Sequence, residues 1–173
     1  MRPIGATAIP VVAGAVPALG AELPSRKAGL WELKTSFENR SGPSPVMQAC
    51  IDAATDQMKQ SSTGAYAQSD CKRDVQKSAN GFTIDSTCTG GGKTWTVHSA
   101  VTGSFDSAYT MAVTSHGDSL PGGRMNMTVA AKWLGPCRAD QKPGDMIMGN
   151  GTKMNILDMR KRGPSPGVPL PPR

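Results

Sequence analysis

The chain is short of the residues that most enzymes work with. It has only two histidines, His98 and His116, and aromatic residues make up 5% of it. No Gly-x-Ser-x-Gly, His-Glu-x-x-His or phosphate-loop pattern occurs. The familiar serine-hydrolase, zinc-protease and nucleotide-loop routes to catalysis are therefore unsupported. Gly90-Gly91-Gly92 joins two extended stretches and opens no helix, so it reads as a turn and not a phosphate cradle. There is no Cys-x-x-Cys among the four cysteines, which argues against a thioredoxin-like motif and against a zinc knuckle. Charged residues are 18% of the chain, and the basic ones are scattered apart from Arg160-Lys161-Arg162. No basic face interleaved with aromatics emerges, so nucleic-acid binding is not expected. The most apolar stretch, Ile4 to Leu19, falls short of the ~20 strongly apolar residues of a membrane span and contains Pro10 and Pro17.

What is present is a leader pattern followed by cysteines. Residues 1–21 carry one charge, Arg2, then the low-polarity run, then Ala18-Leu19-Gly20-Ala21. Small residues at the last and third-last positions suit a signal peptidase, with cleavage after Gly20 or Ala21. An even set of cysteines behind such a leader points to disulfides in an oxidising compartment, so a periplasmic or secreted location is expected. Residues 22–162 are expected to form one domain, and the Pro-rich Gly163 to Arg173 a disordered tail. Without Arg2 the formal charge falls from 19 − 13 = +6 to 18 − 13 = +5, mildly favourable to anionic envelope components.

Between leader and tail the apolar residues recur with period two. Trp31, Leu33, Thr35 and Phe37 share one face of a half-buried strand, with Glu32, Lys34 and Ser36 on the other. Val46 to Ile51 is a second short strand, after which Asp52 offers an N-cap for a brief helix over Ala53 to Lys59. Cys71 to Lys77 and Phe82 to Cys88 flank the turn Ser78-Ala79-Asn80-Gly81, which sets Val75 opposite Ile84 and Cys71 opposite Cys88. Opposed residues in an antiparallel pair are close enough to bridge, so a Cys71–Cys88 disulfide is expected. Cys50–Cys137 is then the remaining pair, one of three connectivities that four cysteines allow.

A second hairpin centred on Gly103 would set Trp95 opposite Met111, Val97 opposite Tyr109 and Val101 opposite Phe105. Met125, Met127, Val129, Ala131 and Trp133 alternate again. Asn150-Gly151 could turn a last hairpin from Met146-Ile147-Met148 to Met154-Asn155-Ile156, with a short helix from Lys153 as the competitor. The expected fold is mainly β: an antiparallel meander of six to eight strands in a curved sheet or small barrel-like domain, with at most one or two short helices.

Four motifs carry a resemblance. They are Arg26-Lys27-Ala28-Gly29-Leu30-Trp31-Glu32-Leu33, Cys50 in Gln48-Ala49-Cys50, a central cysteine pair, and Trp133-Leu134-Gly135-Pro136-Cys137. Their order and spacing resemble a family of secreted proteobacterial proteins of unknown function, over about Leu23 to Met159. Ala28 departs from the Pro usual there. The resemblance implies a periplasmic, non-membrane protein in which Gly29, Leu30, Trp31, Glu32, Trp133 and Gly135 are family positions. It implies no reaction.

The candidate sites are few. Trp31, Trp95, Tyr109, Met111, Met127 and Trp133 fall on inner faces, where they form a core or line a pocket for a small apolar ligand. Met125 and Met127 offer thioethers to Cu(I), a weaker alternative to their packing role. On the Gly103-centred register His98 opposes Ala108, and eight strand residues at ~3.3 Å leave His116 about 27 Å from it, too far for a shared role. Glu32, Asp70, Asp74 and Asp85 show no pairing. Asn39-Arg40-Ser41, Asn126-Met127-Thr128 and Asn150-Gly151-Thr152 match the glycosylation pattern, relevant only in a eukaryotic secretory host. No catalytic residue and no cofactor is indicated. The leading expectation is a non-enzymatic binding or envelope-interaction module, the alternative an enzyme whose site is assembled from loops.

Overall fold

The computed structural model describes residues 23–38, 40–56 and 70–162. They form one nine-stranded antiparallel sheet. In chain order its strands are β1 (Gly29–Phe37), β2 (Val46–Ile51), β3 (Asp70–Ser78), β4 (Gly81–Gly90), β5 (Lys93–Ser104), β6 (Ala108–His116), β7 (Arg124–Gly135), β8 (Asp145–Met148) and β9 (Lys153–Asn155). Across the sheet the order is β3-β4-β5-β6-β7-β1-β2-β8-β9, so β3 and β9 are its open edges. Strands β3 to β7 are the expected meander. The first strand does not begin it; β1 zips onto β7 and carries β2, β8 and β9 behind it.

The helical content is small. A helical turn opens at residues 53–56 where expected: the Asp52 carboxylate accepts the Thr55 N–H at 2.8 Å, and Thr55 Oγ1 accepts the Asp52 N–H at 2.9 Å. The rest of that expected helix lies outside the described residues. At the other end both competing expectations hold in part. Asp145–Met148 pairs with Lys153–Asn155, and a helix, Ile156–Arg162, then starts at the residue where the expected strand would have ended.

The first and last motifs interlock, and that explains their residue types. Trp31 lies opposite Ala49 on one side and Trp133 on the other, and its side chain is fully buried. Its indole N–H donates to the Lys27 carbonyl at 2.8 Å, and the Trp133 indole donates to the Ala28 carbonyl at 3.1 Å. The Lys27 ammonium sits 3.8 Å from the centre of the Trp133 ring. Gly29 has φ +133°, and a Cβ there would stand 2.4 Å from the Gly135 carbonyl oxygen and 2.6 Å from Trp133 Nε1. Only glycine lets β1 come this close to the end of β7. Trp31, Ala49, Ile51 and Ala131 make the centre of the core, with Leu33, Tyr109 and Trp133 packed on it.

Two disulfide pairs staple the sheet. Cys71 and Cys88 are opposite each other at the β3 edge with Cα atoms 4.0 Å apart. Cys50 of β2 joins Cys137 just beyond β7, with Cα atoms 5.5 Å apart. This second bridge ties β2 to the chain leaving β7 across the intervening β1, and the Cys50 carbonyl also accepts the Gly144 N–H.

One expected register is wrong. Strand β5 runs through Gly103 to Ser104, so Val101 faces Met111, Gly103 faces Tyr109 and Ser104 faces Ala108. The turn is made by Phe105, Asp106 and Ser107. Ser104 Oγ accepts the Asp106 N–H at 3.1 Å, and the Ser104 carbonyl accepts the Ser107 N–H at 3.3 Å. Gly103 serves close strand approach instead: with φ +105°, its Cβ would lie 2.6 Å from the Ala108 carbonyl oxygen. The slip keeps side-chain parity, so the faces assigned to β5 and β6 stand while every partner across them changes.

Candidate functional site

The two faces of the sheet differ in chemistry. The inner face carries Trp31, Leu33, Met47, Ala49, Val101, Tyr109, Met111, Val113, Met127, Val129, Ala131 and Trp133 in register across the strands. Around Trp31 this face is sealed. Tyr109 packs on Trp31 with ring centres 5.7 Å apart and stacks on Phe105 at 4.9 Å, and Phe105 meets Phe82 edge-on at 6.2 Å. Three of the six expected pocket residues, Trp31, Tyr109 and Trp133, thus pack into one cluster. The other three, Trp95, Met111 and Met127, lie along the same face and are half-buried. Met125 and Met127 are also on that face, opposite Ser115 and Val113.

Ser115, like Ser99, is a buried serine on that face. It is 1% exposed, it lies between Val97 of β5 and Met125 of β7, and its hydroxyl has no hydrogen-bond partner among the described residues. Leaving a hydroxyl unpaired inside an apolar surface costs about 1–3 kcal/mol.

The sealed end also holds charge that the sequence did not reveal. Arg26 and Asp56, with side chains 5% and 1% exposed, form an ion pair. The Asp56 carboxylate accepts the Arg26 backbone N–H at 2.9 Å and Nε–H at 2.6 Å, and Nη2 lies 2.5 Å away. Arg26 Nη1 reaches the Tyr109 hydroxyl at 3.3 Å. Burial pushes the Tyr109 hydroxyl above its ordinary pKa, with the Arg26 guanidinium pulling the other way. Nothing local in the sequence pairs Arg26 with Asp56; only the β1–β2 hairpin brings the two flanks together. At the opposite side of the sheet Asp145, nearly buried, is opposed to Asn155. Desolvation works against its ionised form. Hydrogen bonds from Asn155, the Lys142 N–H and the Lys153 ammonium outweigh that and hold its carboxyl below the usual range.

The outer face is polar. A shallow groove of about 460 Å³ runs across β3 to β6, lined by Lys72, Asp74, Asp85, Thr87, Thr96, His98 and His116 among others. Here the corrected register matters. His98 faces Thr114 and His116 faces Thr96, so the two histidines are diagonal neighbours on one face and not the distant pair expected. Asp85, whose partner was not legible in the sequence, lies directly across from His98 and accepts from its Nδ1 at 2.7 Å. Asp74 lies directly across from Asp85 and accepts from Gln76 Nε2. Glu32 is on this outer face too, opposite Lys132 and beside a second shallow hollow of about 480 Å³.

Among the described residues, no three His, Cys, Asp or Glu side chains converge to hold a metal ion. No helix among them is long and apolar enough to cross a membrane. Compared with known proteins, residues 26–137 match the family model described as "Protein of unknown function (DUF3617)". No curated protein and no solved structure matches the chain. The matched span starts at the buried Arg26 and ends at the disulfide-paired Cys137.

Proposed function

The chain belongs to the family described as Protein of unknown function (DUF3617), and on that premise we propose that it is a non-enzymatic, extracytoplasmic binding module that takes a small apolar ligand on the inner face of its sheet. The observation that carries this reading is the unpartnered Ser115 hydroxyl, set in an apolar stretch whose neighbours are adaptable and half-buried. Val97 and Met125 flank it, and Trp95, Met111 and Met127 extend the face. Thioether side chains repack around irregular apolar shapes, and one buried polar group fixes orientation. A ligand with a long apolar body and one hydroxyl or carbonyl, such as an envelope lipid or its fragment, matches that lining. The two cysteine pairs and the leader pattern support an oxidising compartment outside the cytoplasm.

The test is extraction and mass spectrometry of lipophilic material bound to the full chain, isolated with its disulfides intact. One species recovered at near-stoichiometric amount, and displaced from a Met127→Asp variant, is the expected result. Protein that returns no such species, and does not bind added fatty acid or phospholipid, overturns the reading.

A further inference from the structure

The outer groove supports a second site, independent of the inner face. We propose that His98 and His116 together bind a divalent transition-metal ion, with Cu²⁺ preferred over Zn²⁺. The chain's two histidines lie on adjacent strands β5 and β6, on one face, and line one groove. Diagonal cross-strand neighbours are ~7–8 Å apart at the backbone, within reach of long and aromatic side chains. Two imidazoles on this diagonal can therefore reach a common ion.

The second observation is how His98 is held. An ionised carboxylate can only accept, so the contact with Asp85 places the proton on His98 Nδ1. In the neutral ring Nε2 then presents its lone pair away from Asp85. A ligating histidine is typically fixed by a carboxylate in this way, which raises its basicity as a donor. Third, Asp74 and Asp85 are directly opposed across β3 and β4. Like charges in that position are unfavourable, and a cation nearby relieves them. Lys72 stands in the same groove and Arg124 lies opposite His116, and both oppose a cation. Because no three donors converge, the ion is held by two imidazoles, with water completing its coordination. Imidazole donors select late divalent ions, and the Irving–Williams order places Cu²⁺ above Zn²⁺.

The experiment is titration of the full chain, disulfides intact, with Cu²⁺ against glycine as a competing weak chelator, alongside electron paramagnetic resonance of the bound ion. One equivalent should bind with two nitrogen donors from imidazole. His98→Gln and His116→Gln should each weaken binding by about tenfold or more and leave one imidazole nitrogen, and Asp85→Asn should weaken it by about tenfold through loss of orientation. Lys72→Ala should strengthen it. Circular dichroism of each variant, whose substituted side chain is exposed, confirms that the sheet is retained. The proposal falls if either histidine variant binds as tightly as the parent, or if the two imidazoles bind separate ions. A Met125→Leu, Met127→Leu variant that alone abolishes binding would also overturn it, since that would place the metal on the inner face.

Discussion

Removing the Asp56 carboxylate should be among the most damaging single changes available outside the core. Asp56 is fully buried and meets three nitrogens of Arg26, one on the backbone and two on the guanidinium. In Asp56→Ala the guanidinium stays buried, with the Tyr109 hydroxyl at 3.3 Å as its remaining hydrogen-bond partner of those described. Breaking a buried pair in this way costs about 3–5 kcal/mol, because the surviving charge is desolvated without compensation. A domain of this size is stable by about 5–15 kcal/mol in total, so the variant gives up a large share of its margin. Replacing both partners, as Arg26→Met with Asp56→Leu, removes the desolvated charge with the attraction. That pair should recover most of the loss, since apolar replacements of buried ion pairs are often neutral. The assay is equilibrium unfolding in urea with the disulfides intact, followed by tryptophan fluorescence, in which the buried Trp31 is a reporter. A loss below about 1 kcal/mol for Asp56→Ala would refute the assignment of Arg26 and Asp56 as a desolvated clamp.

Other consequences can be measured in the same way. Gly29→Ala should lower stability by about 3 kcal/mol, from backbone strain and overpacking against Gly135 and Trp133, whereas Gly91→Ala, with positive φ but open space, should show the strain alone in its thermal midpoint. Cys71→Ser with Cys88→Ser opens a separation of 17 residues, and Cys50→Ser with Cys137→Ser one of 87. Chain entropy makes these worth about 3 and about 4.5 kcal/mol, so denaturant midpoints should fall further for the second pair, and a non-reducing peptide map should return only these two linkages. The Tyr109 hydroxyl titrates above its ordinary value of 10.0, so the folded state favours the protonated form. Its contribution is intact below that value and is lost as pH rises through the raised one; phenolate absorbance should show a late phase that Tyr109→Phe abolishes.

Local pattern made much of this fold readable. Alternation placed Trp31, Leu33 and Phe37 on one face, and the Ser78 to Gly81 turn fixed the β3–β4 register closely enough to put Cys71 against Cys88. Period-two alternation survives a slip by an even number of residues, which is why the inner-face residues of β5 and β6 were right although their partners were not. The partners failed because glycine was given the turn. At Gly103 the glycine is needed for strand approach, while hydroxyl capping by Ser104 makes the turn. The position of β1 between β7 and β2 was not readable, since no local signal says which distant edge a strand will join. The buried Arg26–Asp56 pair was equally hidden. Both residues flank the first hairpin, and charge outside a strand ordinarily reads as solvated surface.

The histidines show how far a single register carries into chemistry. With Gly103 as the turn, His98 stands opposite Ala108 and a shared role for His98 and His116 is geometrically excluded. With Phe105 to Ser107 as the turn, Thr96 moves opposite His116, and His98 is two residues along on the same face. The residues, their exposure and their parity are the same in both arrangements; only the pairing differs. Composition counted two histidines and could not tell an isolated pair from a neighbouring one. The Asp85–His98 contact is subject to the same logic. It depends on the β4–β5 register, and that in turn is fixed by Gly90 facing Lys93 across the Gly91-Gly92 turn. A one-residue change in that turn would slip β3 and β4 together against β5, send Asp85 to the inner face and leave His98 without it. Inserting a residue between Gly91 and Gly92 should therefore weaken Cu²⁺ binding at the groove by about the tenfold expected of Asp85→Asn, whereas inserting one in the solvent-exposed tip at Asn80 should not, because β4, β5 and β6 keep their register when β3 alone slips.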